Sequence, residues 1–116
     1  MRAIRGAITV ADNSEAAIAD ATCTLLREIA LRNHLDPDEI VSILFTLTPD
    51  LDAMFPARAA REMGWDVPML DMQEVPVPGS LARCLRVLVH VERTGDVSHA
   101  YLREARRLRP DLEEEK

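Results

Sequence analysis

From Arg2 to Val10 the apolar positions alternate, with Ile4, Gly6, Ile8 and Val10 on one side and Arg5, Ala7 and Thr9 on the other. That period of two predicts a strand that turns Arg5 away from its apolar face. The period then changes. Asp12, Asn13 and Ser14 offer N-cap oxygens, Glu15 suits a first turn, and Ile18, Ala21, Leu25, Leu26 and Ile29 recur at helical spacing. An amphipathic helix from Ser14 to Asn33 is predicted. Asp36-Pro37-Asp38 interrupts it, and Ile40 to Leu47 follows as a nearly continuous apolar run rich in β-branched residues. Such a run predicts a strand buried on both faces. Pro56 is placed to open a second helix that ends at Gly64, with Arg58 and Arg61 one turn apart on its polar side.

Trp65 to Leu70 reads as a short strand, and Pro76, Pro78 and Gly79 impose a rigid, irregular connection just after Glu74. Alternation returns from Cys84 to Glu92, where Leu85, Val87, Val89 and Val91 share one face and Arg86, Leu88 and His90 the other. The segment from Tyr101 to Arg109 fits two patterns. Leu102, Ala105 and Leu108 would share a helix face, whereas Tyr101, Arg107 and Arg109 share a face only in extended chain. Pro110 ends the element either way. Residues 1–112 are expected to form a single domain, and 113–116, too charged to pack, a flexible tail.

Composition narrows the class. One core is expected of 116 residues that are 47% hydrophobic, and a chain this short gains buried area by associating with copies of itself. A net charge of −6 argues against nucleic acid as a partner. Lys116 is the only lysine, so the other basic residues are all arginine, which suits bidentate recognition of carboxylates. Cys23 and Cys84 show neither C-x-x-C spacing nor a nearby histidine, so no metal site is expected. With no signal-like or membrane-spanning run, the expected location is the cytoplasm.

A search for catalytic chemistry finds no nucleophile. Ser14, Ser42, Ser80 and Ser98 lack an elbow context, His34, His90 and His99 lack ligand spacing or a partnered acid, and the glycines form no phosphate loop. What remains is a set of arginines near the ends of elements, with Glu74 and Tyr101. Among them Arg86 stands out, because a charge between Leu85 and Val87 in a core strand needs a partner. That partner is either a bound anion or an internal carboxylate.

Five stretches carry a resemblance. They are Arg2-Ala3-Ile4-Arg5-Gly6-Ala7-Ile8-Thr9-Val10, Thr48-Pro49-Asp50-Leu51 leading to Phe55-Pro56-Ala57, Met72-Gln73-Glu74, Cys84-Leu85-Arg86-Val87, and Tyr101-Leu102-Arg103-Glu104-Ala105 with Leu108-Arg109-Pro110-Asp111-Leu112. In this order the chain resembles the monofunctional AroH-type chorismate mutases along almost its whole length. The resemblance implies an α+β fold, a mixed sheet flanked by helices in a trimeric pseudo-α/β-barrel, with sites between neighbours. It favours the extended form of the Tyr101 segment. It also implies the Claisen rearrangement of chorismate to prephenate in aromatic amino acid biosynthesis, with no nucleophile, metal or cofactor.

Carried over by position, Arg5, Glu74, Arg86 and Tyr101 would be the catalytic set. Arg86 would donate to the ether oxygen and a carboxylate, Arg5 and Tyr101 would hold the side-chain carboxylate, and Glu74 would accept from the ring hydroxyl. Substrate contacts would come from Leu108 and Arg109 and, across the interface, from Phe55, Ala57, Arg58, Arg61, Met69, Leu70 and Asp71. Arg58, Arg61 and Arg109 would form an electropositive rim. Two positions depart from the pattern. Asp71 replaces a small neutral residue, so it would bond the ring hydroxyl or weaken dianion binding, and Arg58 stands where lysine also occurs. The competing readings are a RidA/YjgF-like trimeric enamine deaminase, a non-catalytic binder of small carboxylates, and a structural module in which Arg86 has only an internal partner.

Overall fold

The computed structural model describes residues 1–112, and the expected tail at 113–116 lies outside them. The elements in chain order are β1 (Arg2–Thr9), α1 (Glu15–Asn33), β2 (Ile40–Leu47), α2 (Pro56–Glu62), β3 (Met69–Gln73), β4 (Cys84–Val91) and β5 (Ala100–Leu102). They form one five-stranded sheet in the order β3-β2-β4-β1-β5. β4 runs antiparallel to both β1 and β2, whereas β5 joins β1 and β3 joins β2 in parallel. The fold is α+β with a mixed sheet, as expected.

Both helices pack on one face. Ile18, Leu25, Leu26 and Ile29 of α1, with Ala57 and Ala60 of α2, meet Ile4, Ile8, Ile43, Phe45, Val87 and Val89 of the strands. Each large side chain so buried contributes roughly 1.5–3 kcal/mol. The Ser14 hydroxyl also caps α1 by accepting from Ala17 N–H at 3.1 Å, a contribution of only about 1 kcal/mol. Packing therefore dominates the placement of α1. Gly6 makes the close approach feasible, since a Cβ there would lie 2.8 Å from Ile29 Cδ1 and 3.0 Å from Val87 Cγ1.

The opposite face is unevenly covered. At the β5 end, Ala105 and Leu108 pack against Ala7, Cys84 and Tyr101. Toward β2 the face lies open in this chain, with Leu44 and Leu88 half-buried and Arg86 exposed.

Three expectations need correction. β2 is buried on one face rather than two: Ile43, Phe45 and Leu47 are covered, whereas Ser42, Leu44 and Thr46 are partly open. The strand expected at Trp65–Leu70 instead occupies Met69–Gln73. Pro68 lacks an N–H and enters the pairing only through its carbonyl, which accepts from Ile43 N–H at 3.0 Å, so the full ladder starts one residue later. In the C-terminal segment only Ala100–Leu102 is extended. Arg103 takes a left-handed turn at φ 56°, and residues Arg103–Leu108 coil as a 3-10 helix. That coil lets Ala105 and Leu108 reach the sheet together, the pair that the helical pattern had put on one face.

Candidate active site

Strand register assembles the first cleft. Arg86, the third residue of β4, has Ala7 beside it on β1 and Thr46 on β2. Tyr101 on β5 pairs with the same Ala7, and Arg5 stands two residues earlier on β1. By the pleat these side chains share the face away from the helices. Glu74 follows β3 directly and is tied to β2 by its backbone N–H, which donates to Leu47 O at 2.7 Å. Arg5, Glu74, Arg86 and Tyr101 thereby line one open cleft of about 450 Å³, with Leu44, Thr46, Met72 and Leu88 among its walls.

Within it, one carboxylate oxygen is held twice. Thr46 Oγ1 donates to Glu74 Oε2 at 2.6 Å, and Arg86 Nε lies 3.1 Å from that same oxygen. The Glu74 side chain is 19% exposed and that of Arg86 48%. An ion pair that open contributes about 1 kcal/mol or less. The pair thus orients the guanidinium without committing it. Of the two partners that sequence allowed for Arg86, the internal carboxylate is present, and an open cleft lies beside it as well. Two residues before Arg86 on the same face, burial pushes the Cys84 thiol above its usual range, while the neighbouring Arg86 guanidinium works in the opposite direction.

Other expected site residues are not among the described residues that line this cleft. Arg109 is held by Asp111, with Nε and Nη2 donating to its two carboxylate oxygens at 3.0 and 2.9 Å. That pairing keeps the guanidinium above its usual pKa, and the Tyr101 phenol adds to the effect. Leu108 packs into the small cluster around Cys84.

A second cleft, of about 420 Å³, is lined by Phe55, Arg58, Asp71 and Met72 among others. Phe55 is 67% exposed and Leu70 60%, while Ala57 is buried on the inner side of α2 and Arg61 is exposed. Met69 packs partly buried against the core. The two groups of expected residues are therefore not brought together within one chain. Among the described residues Met72 alone lines both clefts.

Asp71 has a firm partner. Its Oδ1 accepts from Ala57 N–H at 3.0 Å. Burial pushes the Asp71 carboxyl above the usual carboxylate range, opposed by that N–H and by the Arg61 guanidinium.

Two contributors were missed from sequence. Thr46 holds Glu74, and only the β2–β4 register reveals it. His99 accepts from Arg5 N–H through Nδ1 at 2.9 Å, taking the place of a ladder bond just before the β1–β5 pairing begins. Its place two residues before Tyr101 was the available signal. Among the described residues no cluster of His, Cys, Asp and Glu is arranged to hold a metal ion, and no helix is long and apolar enough to cross a membrane.

A single mixed sheet sets two arginines, a phenol and a clamped carboxylate around one cleft, an arrangement that offers donors to a small anion and an acceptor to a hydroxyl group. The family model for chorismate mutase type I matches residues 1–112. The chain is 49% identical to the chorismate mutase AroH of Thermus thermophilus over 118 aligned positions, which cover 97% of each protein. It is 44% identical to the chorismate mutase AroH of Bacillus subtilis over 117 positions, covering 97% of this chain and 92% of that one. Among solved structures, a chorismate mutase from Clostridium thermocellum superposes with a TM-score of 0.88 at 49% identity, covering 91% of this chain and 98% of the other. The chain belongs to the chorismate mutase type I family. These matches lend no support to the enamine deaminase reading.

Proposed function

We propose that this protein converts chorismate to prephenate in the cytoplasm, on the route to phenylalanine and tyrosine, as a homotrimer with sites between subunits. The observation that carries the reading is the convergence of Arg5, Glu74, Arg86 and Tyr101 on one cleft.

The rearrangement is intramolecular. One C–O bond breaks as one C–C bond forms, so the protein has to select the compact diaxial conformer and stabilise charge on the departing ether oxygen. Arg86 meets both demands. Its Nε is turned to Glu74, which leaves the Nη edge of the fork for the ether oxygen and a carboxylate together. Glu74 uses Oε2 for Thr46 and Arg86, and Oε1 would accept from the ring hydroxyl. Arg5 and Tyr101 hold the side-chain carboxylate. Arg58 and Arg61 of a neighbouring subunit, with Arg109, form the rim around the ring carboxylate, and Phe55, Ala57, Met69 and Leu70 complete that wall. The open sheet face and exposed Phe55 and Leu70 support an assembly that would cover them.

One preorganised donor in a dry site supplies about 3 kcal/mol of the roughly 8 kcal/mol that a millionfold acceleration requires. Conformer selection covers most of the remainder. The test is to mix purified protein with chorismate and follow the fall in substrate absorbance, alongside Arg86→Ala. Activity in the wild type and a loss of about a hundredfold to a thousandfold in the variant are expected. An equally active variant would overturn the mechanism, and molar mass in solution tests the trimer.

A further inference from the structure

β3 turns successive side chains to opposite faces of the sheet. Its pairing with β2 sets Asp71 beside Phe45, on the helix side, and Met72 beside Thr46, on the side of Arg86. Asp71 thus faces away from its own chain's Glu74–Arg86 pair and toward the start of α2.

That start has no local cap. Phe55 at the N-cap provides no side-chain hydrogen bond, and Pro56, the first helical residue, has no N–H to offer. Ala57 N–H is therefore the first donor the helix has to satisfy, and Asp71 Oδ1 accepts it. A helix of seven residues does not hold its geometry unaided in water. Its inner side is fixed by Ala57 and Ala60 in the core, and the course of its first turn, with Phe55 and Arg58 beside it, by the bond from β3.

We propose that Asp71 is a positioning residue, a cap supplied across space from β3 that aims Phe55, Arg58 and Arg61 at substrate held by the neighbouring subunit. The proposal rests on the mutase reading above and assigns the Asp71 carboxylate no contact with substrate. It resolves the departure noted from sequence: the acid satisfies a helix end instead of meeting the dianion. The half-buried carboxyl needs to accept only one hydrogen bond there, so an amide of the same shape can do the same work.

A rim that grips the ring carboxylate equally before and during the rearrangement acts on KM rather than on kcat. The experiment is steady-state kinetics with chorismate on the full chain. The set is wild type, Asp71→Ala, Asp71→Asn, Arg58→Ala with Arg61→Ala, and that pair combined with Asp71→Ala. Asp71→Ala is expected to raise KM about tenfold with kcat held within about twofold. Asp71→Asn is expected to bring KM back to within about threefold of wild type, because its Oδ1 accepts from the same N–H. On the arginine-free background Asp71→Ala should change KM less than about twofold, as residues acting through one another are not additive.

A lower KM in Asp71→Ala would mean relief of repulsion with the dianion and would overturn the proposal. A selective loss of kcat, or a rise in KM that persists without the two arginines, would also overturn it. Where Asp71→Ala does not fold, Asp71→Asn decides alone: KM within about threefold supports the cap, and a fall in kcat of about tenfold or more refutes it. An inactive wild type would sink the mutase reading itself, an outcome distinct from an active enzyme indifferent to Asp71.

Discussion

The two clefts share Met72 but present arginine in different ways. On the sheet side, Arg86 rises from an eight-residue strand paired on both edges, and its Nε is aligned by a carboxylate that Thr46 holds in turn. On the helix side, Arg58 stands on a seven-residue helix capped from another element. Its own partner is Glu62, one turn on at 3.2 Å, with both side chains more than half exposed. The first arrangement specifies the direction of a fork, and the second supplies charge on a base that can shift. A planar, doubly supported guanidinium suits an atom whose charge appears only as a bond breaks. A looser cation suffices for a carboxylate that is charged throughout.

Exchanging arginine for lysine sharpens that contrast most. Arg86→Lys keeps the charge and loses the fork, so kcat should fall by about a hundredfold to a thousandfold. Arg58→Lys should leave kcat/KM within about threefold, since an ammonium serves a rim as a point charge. Parallel kinetics on the two variants would break the comparison if both losses were similar.

A smaller effect is expected one step back from the guanidinium. Thr46→Val removes the hydroxyl that fixes Glu74 while keeping the shape, and kcat should fall about five- to tenfold, the size of one net hydrogen bond. Thermal stability should change little, because the position is only half-buried. A Thr46→Val enzyme with unchanged kcat would show that Glu74 is aligned without it.

The smallest effect is in pH. His99 is held below its usual pKa, first by burial and then by the Arg5 and Arg109 guanidiniums, while Arg32 donates to its backbone carbonyl. A protonated ring cannot accept from Arg5 N–H. The unfolded chain, with an ordinary histidine near 6.5, takes up the proton first as pH falls. Stability from this group is therefore complete above about pH 6.5 and declines below it, levelling off once the folded form is protonated too. His99→Asn places an amide oxygen where Nδ1 stood, so the difference in Tm between pH 7.5 and 5 should be smaller in the variant. Equal acid sensitivity in both proteins would assign the effect to other groups.

Much of the fold was legible along the chain, and the reasons are local. β1, α1 and β4 each carry a full period of apolar residues, and Ser14 marks a cap that the pattern already requires. Less was legible wherever the chain is short or its partner distant. β3 slipped because Pro68 moves the start of the ladder, and the Tyr101 segment resisted because three residues of strand followed by a 3-10 coil have no period to read. In the candidate site, Arg86 could be singled out because charge in a valine-rich strand is conspicuous. Thr46 could not, since nothing in its own neighbourhood hints at Glu74, and His99 offered only its place two residues before Tyr101.

The sequence by itself determined which residues face the core, where the chain breaks and which charges sit on strands, because side-chain periodicity and backbone punctuation act over a few residues. Only the tertiary structure decided who meets whom. Strand order set Arg86 between Ala7 and Thr46, put Glu74 within reach of it, and turned Asp71 to the opposite face, toward Ala57. Those pairings depend on how elements far apart in the chain bury a common surface, and that balance is struck by the whole fold at once.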